Sequence, residues 1–155
     1  MRTKIIVASL GIFLAVGALY ATDHPLEGTW KLNESKSKLA PGMGKNSTVT
    51  YEDTVMGKVR VTVDGTGPDG KATHNEWKGK FDGKDYAVSG DPNTDTRAYT
   101  KVNDRTLNMT VKKGGKVVGT GKVVVSADGK TRTVTTSGTT PKGKKYKTTG
   151  VYDKA

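Results

Sequence analysis

Val59-Arg60-Val61-Thr62-Val63-Asp64, which runs on through Gly65-Thr66-Gly67 into Pro68-Asp69-Gly70-Lys71, decides the fold class of this chain. Three valines alternate with three polar residues, so a strand here has one face for a core and one for water. The Asp-Gly pair supplies the positive backbone angles of a tight hairpin, which turns the chain back beside itself. Leu107, Met109 and Val111 alternate with Thr106, Asn108 and Thr110 in the same way. Further turn signals stand at Asp82-Gly83-Lys84-Asp85, Asn103-Asp104-Arg105, Lys113-Gly114-Gly115-Lys116, Ala127-Asp128-Gly129-Lys130 and Pro141-Lys142-Gly143-Lys144.

Between these turns the alternation predicts strands at 28–33, 47–55, 58–66, 71–80, 85–89, 96–102, 106–113, 116–126, 131–139 and 144–153. No helical period interrupts them. Strands joined in order by short hairpins favour an all-β fold, an antiparallel up-and-down meander of about eight to ten strands, and closure into a barrel removes its exposed edges. A Greek-key sandwich is the alternative, but it needs a long connection, and the longest stretch between strands, Glu34 to Asn46, separates only the first two.

The chain of 155 residues has room for one domain. Arg2 and Lys4 precede an apolar run from Ile5 to Tyr20, followed by Ala21-Thr22-Asp23-His24-Pro25. This pattern is that of a secretory signal peptide, with residues 1–21 as leader, cleavage near Ala21, and residues 22–155 as the β domain. The run is short for a membrane span, so the expected mature protein has no stable span and is secreted or periplasmic. From Thr22 onward only 36 of 134 residues are hydrophobic, a proportion at which many chains stay disordered. Phase answers that objection, because nearly every Val, Leu and Met alternates in step with a neighbour. The same segment holds 22 Thr, 15 Val and 18 Gly, a vocabulary of strands and turns.

With no cysteine there is no disulfide, thiolate metal site or cysteine nucleophile. The two histidines, His24 and His74, have no partner cluster, and His74 shares its strand face with Glu76 and Lys78. Neither a nucleophile elbow nor a phosphate loop is present. Asp91-Pro92-Asn93-Thr94-Asp95 reads as a polar turn, lacking the ligand spacing of a calcium loop. No catalytic residue, cofactor or metal site is therefore expected, and the reading is non-enzymatic.

The candidate site residues are aromatic. Trp77 and Phe81 share one phase, Tyr146 and Tyr152 share another in the last strand, and Trp30, Tyr51 and Tyr99 complete the set. Inside a barrel such groups either line a ligand cavity or plug the core. Without Arg2 and Lys4 the domain keeps 24 basic against 15 acidic residues, densest at Lys142, Lys144, Lys145 and Lys147. Nucleic acid is not expected as a partner, because single-strand binders add several stacking aromatics to such a patch. The leading function is a secreted binding barrel for a small, largely apolar ligand. The alternatives are a basic envelope or extracellular module for an acidic polymer, and a structural protein with no ligand.

Gly28-Thr29-Trp30-Lys31-Leu32-Asn33 at the start, and Val151-Tyr152-Asp153-Lys154 at the end of the meander, resemble the calycin group of lipocalins and fatty-acid-binding proteins. The opening, continued by Ser35-Lys36-Ser37-Lys38 and Pro41-Gly42, is also similar to uncharacterised secreted bacterial proteins described as lipocalin-like. The resemblance implies a barrel closed at one end by Gly28 and Trp30. It departs from the fatty-acid carriers at Gly150, where they place an arginine two residues before the last-strand tyrosine. Glu34 to Asn46 is also too short for their helical lid.

Overall fold

The computed structural model describes residues 24–155, so the expected leader at residues 1–21 lies outside the described residues. Ten strands follow one another: β1 (Gly28–Leu32), β2 (Lys45–Asp53), β3 (Val59–Thr66), β4 (Ala72–Gly79), β5 (Tyr86–Ser89), β6 (Thr96–Asn103), β7 (Thr106–Lys113), β8 (Lys116–Val125), β9 (Thr131–Thr139) and β10 (Lys145–Lys154). Every expected strand is present, with ends displaced by at most two residues. Only two single-turn 3-10 segments, Glu34–Lys36 and Val55–Gly57, interrupt them.

Each strand pairs antiparallel with the next, and β1 closes the ring on β10 through Trp30↔Lys154 and Leu32↔Tyr152. The sheet has no free edge, which is the meander barrel that the turns call for. The valines of the opening stretch behave as their phase requires: Val59, Val61 and Val63 are buried, while Arg60, Thr62 and Asp64 face outward.

One end of the barrel is sealed. Trp30 is fully buried and its Nε1 donates to the Leu26 carbonyl at 2.8 Å, which holds the segment before β1 across the base. Lys154 Nζ lies 5.4 Å from the centre of the indole ring on its other side. Gly28 has φ +105, a backbone conformation that favours glycine, and the end of the Lys154 side chain lies over it, 3.2 Å from where a Cβ would stand. Toward the opposite end, where the 33–44 connection and the 67–71, 90–95 and 140–144 turns lie, the inward-facing Leu32, Val88, Met109 and Val134 are only partly buried. The core is therefore densest in the sealed half and thins toward the opposite, more open end.

Two features of the wall carry expectations. Gly90, in the turn after β5, combines φ +83 with a Cβ position 2.3 Å from the His74 carbonyl oxygen, so neither conformation nor space admits a side chain. Gly90→Ala is expected to lower unfolding free energy by about 1–3 kcal/mol, measured as a shift of the urea midpoint. β5 is four residues long and pairs only through Glu76↔Ser89 and Trp77↔Val88 on one side, and Tyr86↔Arg97 and Ala87↔Thr96 on the other. Its amides should exchange with solvent faster than those of any other strand in a native-state hydrogen-exchange series, because local opening there breaks the least structure.

Candidate functional site

The expected aromatic residues do converge on the interior, and most of them serve as core. Trp30, Tyr51, Trp77 and Tyr99 are almost completely buried and Tyr152 nearly so. Trp77 sits edge-on to Tyr99 at 4.9 Å and to Tyr86 at 5.7 Å, and stacks on Phe81 at 6.1 Å, the shared phase of Trp77 and Phe81 bringing their rings together. Trp77 Nε1 donates to the Arg97 carbonyl at 2.8 Å, which satisfies the one polar atom of the ring. Phe81 and Tyr146 are half-buried, at opposite ends of the barrel. The Tyr146 ring lies over Gly119 and Gly138 at the open end, where its hydroxyl is 3.1 Å and 2.9 Å from the positions that their Cβ atoms would take.

Two residues that were not among the candidates define the chemistry. Arg132 on β9 is 4% exposed and Arg97 on β6 is 8% exposed, both inside the barrel. The Arg132 guanidinium lies between two phenol rings, 5.2 Å from the centre of Tyr51 and 4.9 Å from that of Tyr152. Its Nη2 donates to the Tyr51 hydroxyl at 2.8 Å, whereas its Nε and Nη1 are buried with no hydrogen-bond partner. Arg97 Nη2 reaches Asn75 Oδ1 at 3.4 Å on β4, and Arg97 Nε is likewise buried and unpartnered. Both arginines act electrostatically on the Tyr51 hydroxyl, so they share one interior region.

No counter-charge accompanies them. Neither guanidinium forms an ion pair with a carboxylate among the described residues, since Asp and Glu side chains pair on the outside, as in Glu52 and Glu76 around Arg60, or Asp85 with Lys112. The neighbouring phenols cannot supply a charge. Burial pushes the Tyr51 hydroxyl far above the usual phenol range, against the pull of Arg132, and does the same less strongly to Tyr152. Both remain neutral near pH 7. A charge taken out of water without a partner costs several kcal/mol, and this interior holds two. A guanidinium offers its N–H groups as a planar fork that matches a carboxylate or phosphate, so the unpartnered donors are what a bound anion would use.

The alternation that locates the valines also locates these arginines. Arg97 is two residues before the inward Tyr99, and Arg132 two before the inward Val134. The position tested from the resemblance, Gly150, is buried beneath the Tyr152 ring, and a Cβ there would stand 2.9 Å from Cε2. Arg132, on the adjacent strand, is the register partner of Tyr152.

A recess of about 580 Å³ lies at the sealed base between His24, Thr54, Phe81 and Asp104. His24 Nδ1 accepts from the Leu26 amide at 3.2 Å and its ring packs 5.1 Å from Phe81, while Nε2 is buried and unpartnered. Burial holds the His24 pKa below its ordinary value, and Asp53 opposes that shift. The unfolded chain therefore binds the His24 proton more readily than the folded one. Stability from this group is full above pH 6.5 and is lost as pH falls from 6.5 through the depressed folded value. Urea unfolding at pH 7.5 and pH 5.5 should show that decline in the native chain and a smaller one in His24→Gln. The remaining candidates are spent locally: His74 Nδ1 meets Asp64 Oδ1 at 2.6 Å on the outer face. In the 91–95 turn, Asp91 accepts from the Asn93 amide and the Thr94 hydroxyl, and Asp95 from Lys113 and the Gly114 amide.

No family model matches the chain, and no curated protein does. Among solved structures it is similar to a redesigned β-barrel, mFAP1, bound to DFHBI, with 20% identity, a TM-score of 0.44, and coverage of 84% of this chain and 95% of that one.

Proposed function

We propose that this protein is a secreted, non-enzymatic binding barrel whose ligand is a small molecule with an apolar body and one acidic group. The observation that carries the reading is the pair of buried guanidiniums, Arg97 and Arg132, with no carboxylate beside them. The acidic group would take the free donors of Arg97 and Arg132, with the apolar body lying toward the open half along Met109 and Val134. The leader at residues 1–21 would carry the protein to the periplasm or beyond. Calorimetric titration with a medium-chain carboxylate and with the alcohol of equal length tests this. The carboxylate should bind once per chain, and the alcohol at least about 30-fold more weakly, since a hydrogen-bonded buried charge pair is worth about 2–5 kcal/mol. Equal affinity for the two would overturn the acidic-group reading.

A further inference from the structure

Opposite faces of the barrel carry their charge differently. On β3 and β4 the signs are mixed and paired: Arg60 lies 3.6 Å from both Glu52 and Glu76, and Asp64 meets His74. On β8, β9 and β10 the outward positions toward the 140–144 turn are lysines and hydroxyls, with one largely apolar row, Val124, Thr133 and Val151, below them. The register sets Lys122, Thr135 and Thr149 in one row across the three strands, Thr120, Ser137 and Lys147 in the next, and Lys145 beside Thr139 in the row beyond. No acidic side chain faces outward in these rows, and Asp153, at the far end of β10, is engaged by Asn33 and Lys36. Lys122, Lys145 and Lys147 are exposed and form no ion pair with any described carboxylate, as do Lys142 and Lys144 in the adjoining turn.

The strand spacings set the scale. Lys145 and Lys147 are about 7 Å apart along β10, and Lys122 lies about 12 Å from Lys147 across β9. The strip keeps unbroken register from Gly119 to Val125 against β9, and β9 presents Thr133, Thr135, Ser137 and Thr139 between the two lysine-bearing strands. Aromatic rings are absent from it: of the two rings on β10, Tyr146 points inward over Gly119 and Gly138, and Tyr152 is buried in the core. Base stacking therefore has no platform, whereas rows of hydroxyls flanked by ammonium groups suit a chain of sugar hydroxyls and acidic groups.

We infer that the outer face of β8–β10 binds a linear acidic polysaccharide, with Lys122, Lys145 and Lys147 on its anionic groups and the β9 hydroxyls on its sugars. This surface is separate from the interior and does not depend on the interior ligand.

The test is binding of the full domain to polygalacturonate and heparin, with an oligothymidylate of matched charge as comparison, at 50 and 150 mM salt. Polysaccharide affinity should fall by roughly 10- to 20-fold over that range if the three lysines each neutralise one anionic group. The triple variant K122Q/K145Q/K147Q should lose at least about tenfold at 50 mM, while K78Q/K80Q/K84Q, the same charge change elsewhere on the surface, should lose far less. All six lysines are exposed, so neither variant disturbs the core, and matching melting curves verify that. Equal losses in the two variants would show diffuse attraction and overturn the assignment. So would tighter binding of the oligothymidylate, which would name nucleic acid, or the absence of salt-dependent binding to either polysaccharide.

Discussion

Arg132→Met should yield a barrel that resists unfolding better than the native one and no longer distinguishes a carboxylate from an alcohol. The two effects have one cause. Arg132 is 4% exposed, its guanidinium has no anionic partner, and two of its nitrogens make no hydrogen bond. Replacing buried ionic groups by apolar side chains of similar length often gains about 1–4 kcal/mol. Here the Tyr51 hydroxyl loses its donor, at a cost of about 1 kcal/mol, so a net gain of up to about 3 kcal/mol is expected in urea unfolding without ligand. Carboxylate affinity should fall by about 3 kcal/mol, or roughly 150-fold. A variant that is less stable than the native chain would mean that Arg132 is a structural cation held by Tyr51 and Tyr152. One that keeps its carboxylate affinity would remove it from the site.

The second large effect is expected at the sealed base. Trp30 is fully buried, donates to Leu26 and lies under Lys154, so it joins the first strand, the segment before it and the last strand. Trp30→Ala should cost about 3–5 kcal/mol, a large share of the 5–15 kcal/mol that holds a domain of this size together. The small core sharpens the effect, because Trp30 is one of only two tryptophans and few other large side chains could close over the gap. Trp30→Phe should recover most of the packing while leaving the Leu26 carbonyl without its donor. Urea unfolding followed by far-ultraviolet dichroism measures both, and a loss below about 1 kcal/mol for the alanine variant would show that Trp30 is not the cap.

How much of this was legible beforehand follows from what alternation encodes. Period two places Val59, Val61 and Val63 inside whatever the rest of the chain does, and Asp-Gly turns fix which strands are neighbours, so strands, order and closure are all readable from residues 28–154. The sealed base was readable only through the resemblance of Gly28 and Trp30 to the calycin opening. Charge was harder. An arginine on a strand normally faces water, as Arg60 does, and only the phase of Tyr99 and Val134 reveals that Arg97 and Arg132 do not. That the partner of Tyr152 would come from β9 and not from Gly150 depends on register across a hairpin, which no short motif carries. Whether the aromatics line a cavity or fill it is likewise a matter of packing: Trp77, Tyr99 and Phe81 interlock, and the partly buried Met109 and Val134 lie toward the open end.

The most direct measurement of the central claim is a titration followed by the arginine Nε–H signals in a nitrogen-15 NMR spectrum. With a medium-chain carboxylate, the Arg97 and Arg132 signals should shift saturably at one ligand per chain, and the alcohol of equal length should leave them in place. Unmoved Arg97 and Arg132 signals, with shifts confined to surface residues, would contradict an interior anion site.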